Sequence, residues 1–231
     1  MGLFESVQQA FHLLFSGDPE LWGIVLVSLR VTLMALLIAT PLAVVAGFIL
    51  ATTSFPGRRA VIVAFQSLLS FPTVVVGLLV YMMLSRHGPL GAWHLLFTPS
   101  AMVIGQVIIA FPILVAFTVS AVQGVDPRAR ETALSLGANR AMASFTTLME
   151  VRFGVMAAVF SGFGRIISEV GCSLMVGGNI AGMTRNMPTA IALETSKGEF
   201  AQGIALGAVL LALALGINYT LSFVQGKGGL P

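Results

Sequence analysis

Two charged side chains set in a long apolar run are the residues of this sequence that first call for chemistry. Arg165 and Glu169 fall in the stretch 155–176, which holds no other charge. At about 1.5 Å per residue from Val155, they lie roughly 15 and 21 Å along a helix, at hydrocarbon depth if the run crosses a bilayer. A charge there costs on the order of 3 kcal/mol, so neither is expected to face lipid. Their i,i+4 spacing lets them pair on one helix face. Arg before Glu is the weaker order for the helix dipole, so helix stability alone is a poor reason for the pair. Two roles stay open. The pair either lies on a pathway or dimer interface, where Arg165 attracts a passing dianion, or locks this helix against its neighbours.

Other chemistry finds no support in residue type and spacing. His12, His87 and His94 are far apart and Cys172 is the single cysteine, so neither a metal site nor an intrachain disulfide is expected. No Gly-xxxx-Gly-Lys-Ser/Thr loop occurs, so the chain is not expected to bind ATP or any cofactor. The net charge of +3 is spread rather than clustered and suggests no nucleic-acid face.

Membrane helices must position these residues. The chain is 57% hydrophobic and 9% charged, whereas soluble domains carry about 25% charged residues. Lipid is therefore the expected solvent, and the fold class is an all-α polytopic membrane protein. Five runs reach the roughly 20 residues a spanning helix needs: 22–53, 60–84, 101–122, 155–176 and 201–224. Arg30 sits near the start of the first, and the uncharged part from Val31 to Thr53 suffices to span. With the N-terminus outside, the inner side collects Arg58, Arg59, Arg128, Arg130, Arg140, Arg152 and Lys227, against Arg86, Arg185 and Lys197 outside. That bias favours this orientation.

Residues 1–21 lack Lys and Arg, so a signal peptide is not expected. The spacing of Leu3, Phe4, Val7, Ala10, Phe11, Leu14 and Phe15 predicts instead a short helix in the outer membrane interface. Residues 225–231 form a short inner tail. Pro41, Pro72 and Pro112 lie inside the first three runs and predict kinks, either as pathway flexibility or as ordinary membrane-helix bends. Gly203 and Gly207 predict a close helix contact. No internal repeat is visible, which weighs against an inverted-repeat transporter.

The inner loop 123–152 is long and charged where the rest of the chain is not. Asp126-Pro127 reads as a helix start, Gly137 as its left-handed stop, and Asn139 as the start of a second short helix. A bent helix pair on the inner face suits docking of a soluble partner.

In that loop Glu131-Thr132-Ala133, then Gly137 four residues on, resembles the Glu-Ala-Ala-xxx-Gly signature of ABC importer permeases, although the later Ile-x-Leu-Pro is replaced by Thr147-Leu148-Met149-Glu150. The resemblance runs from about Leu26 to Phe223. Phe71-Pro72-Thr73 with Gly77, then His87-Gly88-Pro89-Leu90-Gly91, is similar to molybdate-type permeases. So is Ser168-Glu169-Val170-Gly171 with Leu174 to Asn179. Thr184 to Ile191, with Glu194-Thr195, is most similar to tungstate permeases.

The resemblance implies a type I ABC importer permease whose residues 22–224 form the transmembrane domain. It implies a homodimer, a cytoplasmic ATPase dimer that binds ATP-Mg, and an extracytoplasmic oxyanion-binding protein. Glu131, Thr132, Ala133 and Gly137 would couple to the ATPase, and Arg165, Glu169 and Gly171 become gating candidates. The chain itself would not be an enzyme. Tungstate is the expected cargo, with molybdate or sulfate as alternatives. An ion-coupled secondary transporter using Arg165 and Glu169 is the reading from another class.

Overall fold

The computed structural model describes residues 3–124 and 134–226. Among them are ten α-helices and a single 3-10 turn, Gly91–Trp93, with no strand. A short helix, α1 (Leu3–Phe15), precedes α2 (Pro19–Thr52). Asp18 caps α2 by accepting from the amides of Glu20 and Leu21, with Pro19 at the first helical position. At 34 residues α2 is about 51 Å long, well beyond a hydrocarbon core of about 30 Å. Its C-terminal end stops where Arg58 donates to the carbonyls of Leu50 and Ala51, at 2.6 and 2.8 Å.

The second apolar run is not one kinked helix. It divides into α3 (Arg58–Leu68) and α4 (Thr73–Leu84), whose axes differ by 97°. Pro72 is therefore a complete break: it has no N–H to continue the ladder, and it stands as the N-cap of α4. Pro41 and Pro112, in contrast, lie inside the continuous helices α2 and α5 (Pro99–Gln123). Pro112 is buried among neighbouring helices, whereas Pro41 is exposed, as residues 69–72 are.

The fourth run is also interrupted. A helix of 11 residues, α6 (Arg140–Glu150), meets α7 (Arg152–Ile167) at 61°, and α7 gives way after Ile167 to a separate short helix, α8 (Gly171–Gly177). Next come α9 (Met187–Lys197), which hydrophobic periodicity had not suggested, and the long α10 (Phe200–Gly226). An Asn186–Thr189 capping box starts α9.

The centre of the bundle is α5, enclosed by α2, α7, α3, α4 and α8. Its contacts rest on small residues. A Cβ at Gly47 would lie 2.8 Å from Thr118 Cβ, and one at Gly154 would lie 2.7 Å from Ala121 Cβ. Gly207 meets nothing within 4 Å among the described residues, so the Gly203–Gly207 step is not a close contact within the chain. On the outside, α1 packs along α10, burying Ser6 and Ala10 and exposing Phe4, Phe11 and Phe15.

Candidate functional site

The break between α7 and α8 holds the charged pair. At the end of α7 the carbonyl of Ile166 accepts from the Glu169 amide at 3.2 Å and from Gln106 Nε2 of α5 at 3.2 Å. Ser168 turns its hydroxyl back to the carbonyls of Gly164 and Arg165. The helix therefore ends with its carbonyls occupied. Glu169 lies just past the helix, not within it, and its carboxylate is clamped from two sides. Arg165 Nη1 donates to Oε2 at 2.9 Å, and the Cys172 amide in the first turn of α8 donates to Oε1 at 3.0 Å. The Glu169 side chain is 3% exposed while that of Arg165 is 42% exposed. The acid is a buried anchor and the base is the member open to its surroundings.

Glycines let α8 wedge between α4 and α5. A Cβ at Gly77 would fall 2.8 Å from Cys172 Cα, and a Cβ at Gly105 would fall 2.5 Å from Cys172 Sγ. Gly171 is needed for the same reason. Its Cβ would sit 2.6 Å from Val74 Cγ2 and 3.5 Å from Glu169 Oε1. The two broken spans thus meet at their breaks, the start of α4 against the start of α8.

Beyond α8 the chain is tied back. The Phe97 amide donates to Val176 O at 2.8 Å, the Thr184 hydroxyl to Gly177 O at 2.6 Å, and the Met187 amide to Ser28 Oγ of α2 at 2.7 Å. Arg185 reaches Glu20 at 3.6 Å.

Arg165 also borders a cavity of about 550 Å³ between α3, α4 and α5, whose walls include Phe65, Phe71, Val76, Met83 and Phe111. Among the described residues that line it, Arg165 is the one charged side chain. Of the residues the sequence marked, Arg165 lines this cavity, while Glu169 is buried beside it and Gly171 is the first residue of α8. Hydrophobic pattern alone gave no signal for Gln106, nor for the buried Glu194, which pairs with Lys197 at 3.0 Å. The Asn186-xx-Thr189 spacing could have revealed the start of α9.

Of the loop motif, Glu131, Thr132 and Ala133 lie outside the described residues. Gly137 is described and left-handed, with φ of +90°. It is followed by Asn139, which caps α6 by accepting from the Met142 amide at 2.8 Å. The helix α6 buries Ala143 and Thr147 and exposes Met142, Phe145 and Met149, while Leu136 before it is 82% exposed.

Fold and site together define a polytopic membrane permease with interrupted spans. No family model matches the sequence. The chain is 42% identical over 201 residues to a probable anion ABC transporter permease protein of Haloferax volcanii, covering 85% of this chain and 87% of that one. It is 37% identical over 217 residues to the tungstate uptake system permease protein TupB of Campylobacter jejuni, covering 94% and 91%. In fold it matches a chain of a bacterial alginate ABC transporter solved with a pentasaccharide-bound periplasmic protein, at a TM-score of 0.72 and 20% identity over 100% of this chain and 91% of that one. The chain belongs to the permease family of ABC transporters, in its anion branch.

Proposed function

We propose that two copies of this chain form the transmembrane pathway of an ATP-driven importer whose cargo is tungstate. The observation that carries the reading is the likeness across 94% of the chain to a tungstate permease. A charged, half-open Arg165 beside a membrane-embedded chamber supports it, since an anion pathway needs cationic donors.

In this reading ATP-Mg binds to a separate ATPase dimer, and the loop 123–152 docks on it through Glu131, Thr132, Ala133 and the bend at Gly137. The unpartnered apolar side chains Leu136, Met142, Phe145 and Met149 supply the contact surface. An extracytoplasmic binding protein delivers the oxyanion, as the periplasmic protein in the alginate complex suggests. The chain spans the cytoplasmic membrane with its N-terminus outside and its C-terminus inside. Residues 1–21 lie on the outer interface, 22–224 form the transmembrane domain, and 225–231 form the inner tail. Arg165, Glu169 and Gly171, at the meeting point of two broken spans, form the gate.

The test is uptake into proteoliposomes holding permease, ATPase and binding protein. Tungstate uptake that requires ATP supports the reading. Preference for molybdate or sulfate would change the cargo, and uptake driven by an ion gradient without ATP would refute the ABC mechanism.

A further inference from the structure

Arg165, 42% exposed at the chamber's rim, is incompatible with a lipid covering. The elbow between α3 and α4 is exposed at residues 69–72, and its Leu69, Ser70 and Phe71 amides donate to the carbonyls of Gln66, Ser67 and Leu68. Leu69 and Phe71 line the same chamber. Apart from Arg165 and Thr73, the described lining residues are apolar. A second copy related by a twofold axis would bring the same apolar wall and a second arginine to the opposite side.

We propose that the chamber is completed by a second copy of the chain, and that the two Arg165 guanidiniums together bind the oxyanion as it crosses. This rests on the oxyanion-importer reading and adds the contact residue. A guanidinium presents several N–H donors in a rigid fork. One of them, on Nη1, is held by Glu169. The others remain open to the chamber, so anion binding does not require the internal pair to break. Glu169 is the positioning residue: anchored by the Cys172 amide, it fixes the direction in which Arg165 points. Two such forks offer N–H donors to the oxygens of a tetrahedral dianion, while each Arg165 charge stays balanced by its Glu169. The walls are apolar except for Thr73, so they offer the anion few further partners and the contact is short-lived.

The experiment uses the complete complex in proteoliposomes with Arg165→Cys, the parent chain with its buried Cys172 serving as the thiol control. Uptake of tungstate should fall about tenfold or more, because the change removes the guanidinium from both copies and one charge-assisted hydrogen bond alone is worth about tenfold. Aminoethyl methanethiosulfonate, which rebuilds a cation at position 165, should recover uptake several-fold, whereas the methyl and sulfonatoethyl reagents should not. Saturating tungstate should slow the modification, and a short bifunctional thiol reagent should join the two copies. Arg165→Lys should assemble normally and keep partial uptake. Parental uptake in Arg165→Cys, equal rescue by the neutral reagent, or a thiol unreactive to all three would each overturn the proposal. Absence of ATP-dependent tungstate uptake in the parent complex would refute the importer reading itself.

Discussion

The wedge of α8 between α4 and α5 can be tested with a double-mutant cycle whose outcome follows from distances. In Gly105→Ala the new Cβ would stand 2.5 Å from Cys172 Sγ, with Val176 Cγ2 next at 3.9 Å. The clash is thus with one sulfur atom. Overpacking of this kind costs about 1–3 kcal/mol. Cys172→Ala alone removes a buried sulfur and costs about 1 kcal/mol in lost contacts. Combined, the two changes nearly cancel in volume: the alanine methyl enters the space the sulfur leaves, and its nearest neighbour is then the one at 3.9 Å. A coupling of about 1–3 kcal/mol in favour of the double variant is expected.

Gly77→Ala behaves differently, because its Cβ would meet Cys172 Cα at 2.8 Å. Removing the thiol leaves that backbone clash in place. Apparent unfolding temperature of the purified permease reads the parent and all five variants, with about 2–4 °C expected per kcal/mol at this size. Gly105→Ala should melt several degrees low and the double variant near Cys172→Ala, while Gly77→Ala stays low with or without the thiol. Additive Gly105→Ala and Cys172→Ala effects, or equal rescue of Gly77→Ala, would refute the wedge.

Other expectations concern the gate, the loop and the topology. Glu169→Gln keeps the shape but takes the counter-charge from Arg165, with a stability loss held to about 1–2 kcal/mol because Arg165 is partly hydrated. A gating role predicts normal assembly with uptake reduced or uncoupled from ATP hydrolysis, whereas a pure lock predicts lower melting temperature with unchanged uptake per assembled complex. Gly137 has φ of +90° and, among the described residues, nothing within 4 Å of an added Cβ, so Gly137→Asn should be tolerated. Gly137→Val, strained by about 1–2 kcal/mol or more, should assemble poorly with the ATPase or hydrolyse ATP without transport. Single cysteines at His12 and Lys227, in a Cys172→Ala background, should label from opposite faces with an impermeant reagent; labelling from the same face would overturn the orientation.

How much of this was legible depends on what each residue reports. Hydrophobicity is a sum over a window, so it found the apolar runs that became α2, α5 and α10. It could not see where a run breaks, because Leu69 and Phe71 are as apolar at an elbow as in a helix. Pro72 was visible, but a proline reports only a missing N–H. A proline inside a continuous helix, as at Pro41 and Pro112, and one at a 97° break look alike in the sequence. The charges were the clearest signal. Arg165 and Glu169 were marked by depth and spacing, and they do pair, at 2.9 Å. Their unequal exposure was not legible, since it arises from the Cys172 amide and from the packing of α8.

That asymmetry links the two halves of the site. Glu169 caps α8, so any movement of α8 pulls on the group that aims Arg165. Gly171 lets the same turn touch Val74 at the first turn of α4, so the movement is also felt at the second broken span. A pair formed on one straight helix, as the i,i+4 spacing alone suggested, would be indifferent to its surroundings. Because Glu169 lies past the helix end, the pair instead joins α7 to α8, and α8 touches α4. Breaks in two spans that touch each other give a transporter elements able to shift without unpacking α5, the helix on which both rest. The charge pair stands where such a shift would be felt, which is why its loss should alter transport before it alters assembly.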